Sequence, residues 1–240
     1  MGLTSCIQSL VSSWYFSISY SWLKLSVVLL YKMLIPAETV INILKERNIS
    51  VKGALHIGAH DCEEVGFYNK LGLDQKDVIW IDAIQSKVDE AKVRGIPNVF
   101  QSVITDKDDE MVTFHVTNNI QSSSVLKFGS HAIHHPEVRF TEDIKLTTTT
   151  IDTFFLRNGL CAKDCEFWNF DIQGAELMAL KGARISLEFP KAIYLEVNVE
   201  EVYMGCAKMN EIDSFLKTRG FNRVSTNITA WGWGDALYIR

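Results

Sequence analysis

The chain has 240 residues, of which 47 % are apolar and 22 % charged, the balance of an ordinary globular protein able to bury a sizeable core. Its formal net charge of -5 excludes a dedicated nucleic-acid binder, whose footprint would be a basic patch. Five scattered cysteines (Cys6, Cys62, Cys161, Cys165 and Cys206) form no C-x-x-C pair and read as thiols of a reducing, intracellular compartment; Cys161 and Cys165 alone fall short of the four convergent ligands that structural zinc requires.

Residues 14–35 form an apolar run whose only charges are Lys24 and Lys32. The length suits a bilayer, but Lys24 in mid-segment and serines at 17, 19, 21 and 26 dilute its apolarity. No basic residue precedes the run, which argues against a signal peptide, and Gly2 lacks the Ser or Thr at position six that acylation favours. The segment, residues 1–36, is expected either to pack on the following domain as an amphipathic helix or to associate with a membrane.

Pro36 closes this segment, and a domain over residues 37–240 follows. A helix is predicted over 38–48, then a buried strand over 54–59 (ALHIGA), a helix over 63–71, a strand over 78–82 (VIWID), a helix over 86–93 and a strand over 99–103. The alternating and β-branched stretches 111–117 and 144–150 read as half-exposed strands. Between them, residues 118–140 are expected to be a long polar loop carrying substrate contacts. Strand 167–171, helix 175–181, strand 192–197, helix 209–219 and a terminal hairpin over 221–226 and 236–239 complete the series. Repeated β-α-β units with a closing hairpin imply an α/β, Rossmann-like fold: a seven-stranded, mostly parallel sheet with an antiparallel last strand and helices on both faces, the layout of class I methyltransferases.

Open sheets of this kind bind ligands beyond the carboxyl ends of their strands. The first strand ends in HIGAHDCEE, so His56, Gly58, Ala59, His60 and Glu64 are expected beside a cofactor. The dinucleotide pattern G-x-G-x-x-G needs glycines where His60 and Glu63 stand, and Glu63 with Glu64 would repel a pyrophosphate while favouring a sulfonium; the same acids would equally serve a helix N-terminus. Asp82, with Ala83 beside it, is placed to grip ribose hydroxyls, and Ser102 and Val103 fall where an adenine edge would lie. NFDIQGAEL (169–177) puts Asp171 at a strand tip, Gly174 in the turn and Glu176 at a helix start, while EVN presents Glu196 and Asn198 from the next strand, where they are expected to position the acceptor. Ser122 and Ser123 in the long loop are expected to touch the acceptor; His131, His134 and His135 read as part of a polar lid, and no metal site is expected.

HIGAH, the SSS loop, LTTTTIDTF at 146–154, FDIQGAEL, EVN followed by Tyr203, and WGDALYIR together resemble the FkbM family of methyltransferases over roughly residues 50–240. Where that family commonly has D-x-G-A-N at strand one, this chain has His56 and His60. The resemblance implies S-adenosylmethionine as donor and O-methylation of a sugar or similar hydroxyl, with Asp171 as the base or orienting group and His60 its competitor. A nicotinamide-dependent oxidoreductase and a non-catalytic binding domain are the alternatives.

Overall fold

A computed structural model describes residues 33–240, so the apolar segment lies outside the described residues except for its last three positions. Those positions join the domain. Met33 and Ile35 are buried, the Leu34 N–H donates to Asp235 Oδ2 (2.7 Å), and Asn227 Nδ2 donates to the Leu34 carbonyl (2.7 Å). No described helix is long and apolar enough to cross a membrane.

The elements follow in chain order as α1 (Ala37–Glu46), β1 (Ala54–Ile57), α2 (Val65–Lys70), β2 (Val78–Asp82), α3 (Gln85–Val93), β3 (Val99–Gln101), β4 (Val103–Ile104), β5 (Met111–Thr117), α4 (His131–His134), β6 (Phe140–Thr149), α5 (Ile151–Arg157), β7 (Phe167–Phe170), α6 (Glu176–Lys181), β8 (Ala192–Asn198), α7 (Met209–Lys217), β9 (Asn222–Ile228) and β10 (Trp233–Ile239). Seven strands form one sheet in the order β3-β2-β1-β7-β8-β10-β9, parallel except that β10 runs antiparallel to both neighbours. This is the class I methyltransferase layout. Its helices cover both faces: α1, α2 and α3 bury Val40, Phe67 and Val88 on one side, and α5, α6 and α7 bury Phe154, Leu180 and Leu216 on the other.

Two expectations are corrected. The strand expected over 99–103 breaks at Ser102: β3 stays in the main sheet, while β4 leaves it to pair with β6 in a separate three-stranded sheet. Residues 118–140 are more than a loop. Ser124 bridges back to His115, α4 forms within the segment, and Phe140 already belongs to β6. Both misreadings arise because the small sheet is assembled from short pieces distant in sequence, which local periodicity cannot register.

The strand order reverses between β1 and β7, whose successors lie on opposite sides. A crevice opens beyond the carboxyl ends of strands at such a point. Gly58 and Asp171 flank it.

Candidate active site

A cavity of about 800 Å³ occupies this crevice, roofed by residues 119–125 and by His131, His135 and Glu137. The floor consists of strand ends. Gly58, at φ +91°, turns the chain after β1 so tightly that a Cβ there would stand 1.8 Å from the Asp171 carbonyl oxygen. Glycine is therefore required for the approach of one strand tip to another, and not only for the approach of a ligand. Asp82 ends β2, and its two carboxylate oxygens accept the N–H of His60 (2.7 Å) and of Ile84 (2.8 Å). Each oxygen keeps a lone pair for a further donor. Burial pushes the Asp82 carboxyl up, against the pull of those two N–H bonds. Ser102 and Val103 line the cavity where the chain leaves the main sheet, beside Ile81, Ile84 and Ile104.

At the centre Asp171 is exposed to the cavity at the end of β7. Gln173, at φ +56°, bridges two acids through its Nε2, donating to Asp171 Oδ1 (2.5 Å) and Glu196 Oε2 (2.8 Å), while its Oε1 accepts from the Tyr203 hydroxyl (2.5 Å). Glu176 is buried, and its carboxylate accepts the N–H of Ile172 (3.0 Å) and of Gly174 (3.2 Å). It thus ties down the turn that presents Asp171, a fuller role than serving the helix dipole. Asp235 is the direct cross-strand neighbour of Glu196, and its carboxylate also accepts from the Tyr194 hydroxyl. Burial, with Glu176, Asp171 and Asp235 nearby, pushes Glu196 well up; burial pushes Glu176 up as well and Asp235 up to about 7.

Of the residues expected from sequence, the structure brings Gly58, His60, Asp82, Ala83, Ser102, Val103, Ser122, Ser123, Asp171 and Glu196 to the cavity wall. It does not bring His56, Ala59, Glu64 or Asn198 there. His56 is sealed in the core, stacked on Trp80 (centroids 4.9 Å apart) with Nδ1 3.0 Å from the Tyr68 hydroxyl. Ala59 is buried and hydrogen-bonds to Ile81 through its backbone (3.0 Å). Glu64 lies outside the lining, its carboxylate 4.0 Å from His56 Nδ1. Asn198 is wholly buried beside Glu196 (3.5 Å), its Oδ1 without a partner among the described residues. Ser122 and Ser123 hold the roof itself: Ser123 Oγ accepts the Thr117 N–H (3.0 Å) and Ser122 Oγ accepts from Asn119 Nδ2 (2.9 Å).

Sequence reasoning missed Gln173 and Asp235. Both lie inside motifs, FDIQGAEL and WGDALYIR, but an amide between two acids and an acid amid the apolar strand WGDALYI gain meaning only once β7, β8 and β10 are side by side. His131 is buried and stacked on Phe128 (4.3 Å), and burial pushes it down to about 4, so it stays neutral at ordinary pH. His60, Asp61 and Glu63 form the group of potential metal ligands among the described residues, with Lys87 Nζ 3.1 Å from Asp61.

The lining includes the carboxylates of Asp82, Glu137, Asp171, Glu196 and Asp235, and no described lining residue is Lys or Arg. Such a wall disfavours a pyrophosphate and fits an adenosyl donor bearing a sulfonium, with Asp82 available to ribose hydroxyls and the isoleucines to a planar base. A family model for the Methyltransferase FkbM domain matches residues 56–223. The chain belongs to the FkbM methyltransferase family. As a member it is an S-adenosylmethionine-dependent methyltransferase, and the oxidoreductase alternative falls away.

Similarity to solved structures is distant. The FkbM chain is 11 % identical to a magnesium protoporphyrin IX methyltransferase from Synechocystis PCC 6803 with bound SAM, at a TM-score of 0.41 over 85 % of this chain and 77 % of that one. It is 12 % identical to a SAM dependent methyltransferase from Aquifex aeolicus, at a TM-score of 0.35 over 82 % and 87 %. A DhpI-SAM-HEP complex aligns over 100 % of both chains at 10 % identity and a TM-score of 0.39. No curated protein sequence matches the chain.

The raised Asp235 carboxyl has a consequence for stability. Unfolded, this group titrates near 4; folded, burial holds it up to about 7. The folded state therefore binds the extra proton between those values, and stability from this group is full below about pH 4 and is lost as pH rises through 7. Asp235→Asn keeps an acceptor for Leu34 and cannot ionise. The melting temperature of the unaltered protein is expected to fall further between pH 5.5 and 8 than that of the variant; parallel pH profiles in thermal unfolding would remove Asp235 as the cause.

Proposed function

We propose that this FkbM protein methylates a hydroxyl oxygen of a small polar acceptor of sugar-like character. The observation that carries the reading is the setting of Asp171, an acid open to the cavity at the strand-order reversal and fixed from behind by Gln173. A neutral hydroxyl is a weak nucleophile, and a carboxylate within hydrogen-bond reach of its proton contributes about 10²–10⁴-fold.

Asp82, Ser102 and the β1 turn would hold the donor, which would supply an electrophilic methyl group. Asp171 receives the acceptor's hydroxyl proton. Gln173 keeps Asp171 and Glu196 apart and oriented through one amide nitrogen, so neither acid swings away as the proton arrives. Tyr203 fixes the far end of that amide. The roof formed by residues 119–123 and Val125, held by Ser122 and Ser123, supplies hydroxyl and amide groups to a polar acceptor. His60 lines the same cavity with Nδ1 3.3 Å from both Asp61 and Glu63, which makes it the alternative proton acceptor.

The test is transfer of labelled methyl from S-adenosylmethionine to a panel of free monosaccharides, glycosides and nucleotide sugars, with the product mapped by mass spectrometry and NMR. Label on a ring or exocyclic oxygen is expected. Label on nitrogen, carbon or sulfur alone would overturn the assignment to oxygen.

A further inference from the structure

We infer that the unit entering the acceptor cavity carries no phosphate, carboxylate or nucleotide diphosphate, and is instead an uncharged or amine-bearing hydroxyl compound. The inference rests on the proposed oxygen methylation for the reacting atom; the charge rule itself comes from the cavity wall.

Glu196 and Asp235 stand opposite one another on β8 and β10, and both line the cavity. Glu137 adds an exposed carboxylate from the roof, and Asp82 another from the donor end. No described lining residue is Lys or Arg. Of the lysines near the donor end, Lys87 is already committed to Asp61 (3.1 Å) and Glu90 (2.9 Å). The turn leading into α6, where backbone N–H groups could otherwise greet an anion, is filled by the protein's own acid: the Ile172 and Gly174 N–H groups donate to Glu176. An anionic acceptor would meet the exposed carboxylates of Asp171 and Glu137, would make ionisation of the neighbouring Glu196 and Asp235 costlier still, and would find no described Lys or Arg in the wall to offset it.

The rest of the wall suits a neutral ring. Half-exposed Trp231 stands against His135 (5.1 Å between centroids), and Trp233 and Phe114 join it in the lining, offering flat apolar faces. Sugars activated for transfer carry nucleotide diphosphates, so a cavity that rejects anions places methyl transfer on a unit no longer attached to its nucleotide. The reaction class that supplies this acceptor is then glycosyl transfer or phosphate removal.

The test measures binding to the full chain in excess S-adenosylhomocysteine, by saturation-transfer NMR and calorimetry, for methyl glucoside, glucosamine, glucuronate, glucose 6-phosphate and UDP-glucose. Neutral and amino members are expected to bind, and each anionic member at least about tenfold more weakly. An anionic member binding as tightly as methyl glucoside overturns the inference. If no hexose binds, the sugar-like reading fails, and the charge rule is read separately on benzyl alcohol, benzylamine, benzoate and phenyl phosphate, which need only the aromatic wall. The same order is expected there; benzoate or phenyl phosphate matching benzyl alcohol, or no binding by any neutral probe of either set, overturns it. In Glu137→Lys the anionic-to-neutral affinity ratio is expected to rise several-fold, and an unchanged ratio would show that the discrimination is not electrostatic.

Discussion

Asp171→Asn is expected to lower kcat by about 10²–10⁴-fold while leaving the affinity for S-adenosylhomocysteine largely intact. The substitution keeps the shape of the side chain and an oxygen able to accept from Gln173 Nε2, so the bridge to Glu196 survives. It removes basicity, and with it the group that receives the acceptor's proton. Initial-rate assays of S-adenosylhomocysteine release, paired with calorimetric titration of that product, separate the two effects. A variant that turns over at the normal rate would pass the role to His60, whose alanine variant should then carry the loss. A variant that loses cofactor affinity and turnover together would instead make Asp171 a binding group.

Gly58→Ala is expected to cost on the order of 2–4 kcal/mol of stability, a fall of roughly 6–12 °C in Tm for a domain of this size, with the affinity for S-adenosylhomocysteine falling alongside. The added Cβ would sit 1.8 Å from the Asp171 carbonyl oxygen and 2.7 Å from its carbonyl carbon. The Asp171 N–H is meanwhile bonded to the Ile57 carbonyl (2.9 Å), so the two strand tips cannot separate without breaking that bond. Gly72→Ala is the control: it also has positive φ (+85°), but nothing lies within 4 Å of its Cβ, so it bears only the conformational penalty of about 1–2 kcal/mol. Thermal unfolding followed by circular dichroism distinguishes them. Equal losses at the two positions would mean that the contact with Asp171 contributes nothing and that backbone conformation alone matters.

These two predictions meet at one point in the molecule, where β1 and β7 end side by side. The glycine exists to let the carboxylate's own backbone come close. Around that point the protein has gathered acids that mutually raise their affinity for protons, and it balances them with neutral donors: the Gln173 amide, itself held by the Tyr203 hydroxyl, the Tyr194 hydroxyl and backbone N–H groups. A negative wall of this kind would favour a cationic sulfonium donor over its neutral thioether product.

Sequence by itself determined the main sheet, its helices and the terminal hairpin, because each is written in local hydrophobic period and in turn residues. Strands β2 and β5 fall on the residues that periodicity assigns, and Gly58, Asp82, Asp171 and Glu196 were recognisable as polar or glycine residues at strand ends. Only the tertiary structure decided what those residues touch. His56 and Asn198 sit in strands at positions that sequence treats like any strand end, yet the pleat turns His56 into the packed face against Trp80, while Asn198, on the same face as Glu196, is wholly buried beside it. Gln173 and Asp235 became legible only through pairings between segments tens of residues apart, as did the separate sheet of β4, β5 and β6. Local pattern reports which residues are buried and how the chain turns. Which carboxylate shares a hydrogen bond with which amide is set by strand register across the sheet, a property of distant segments packed together.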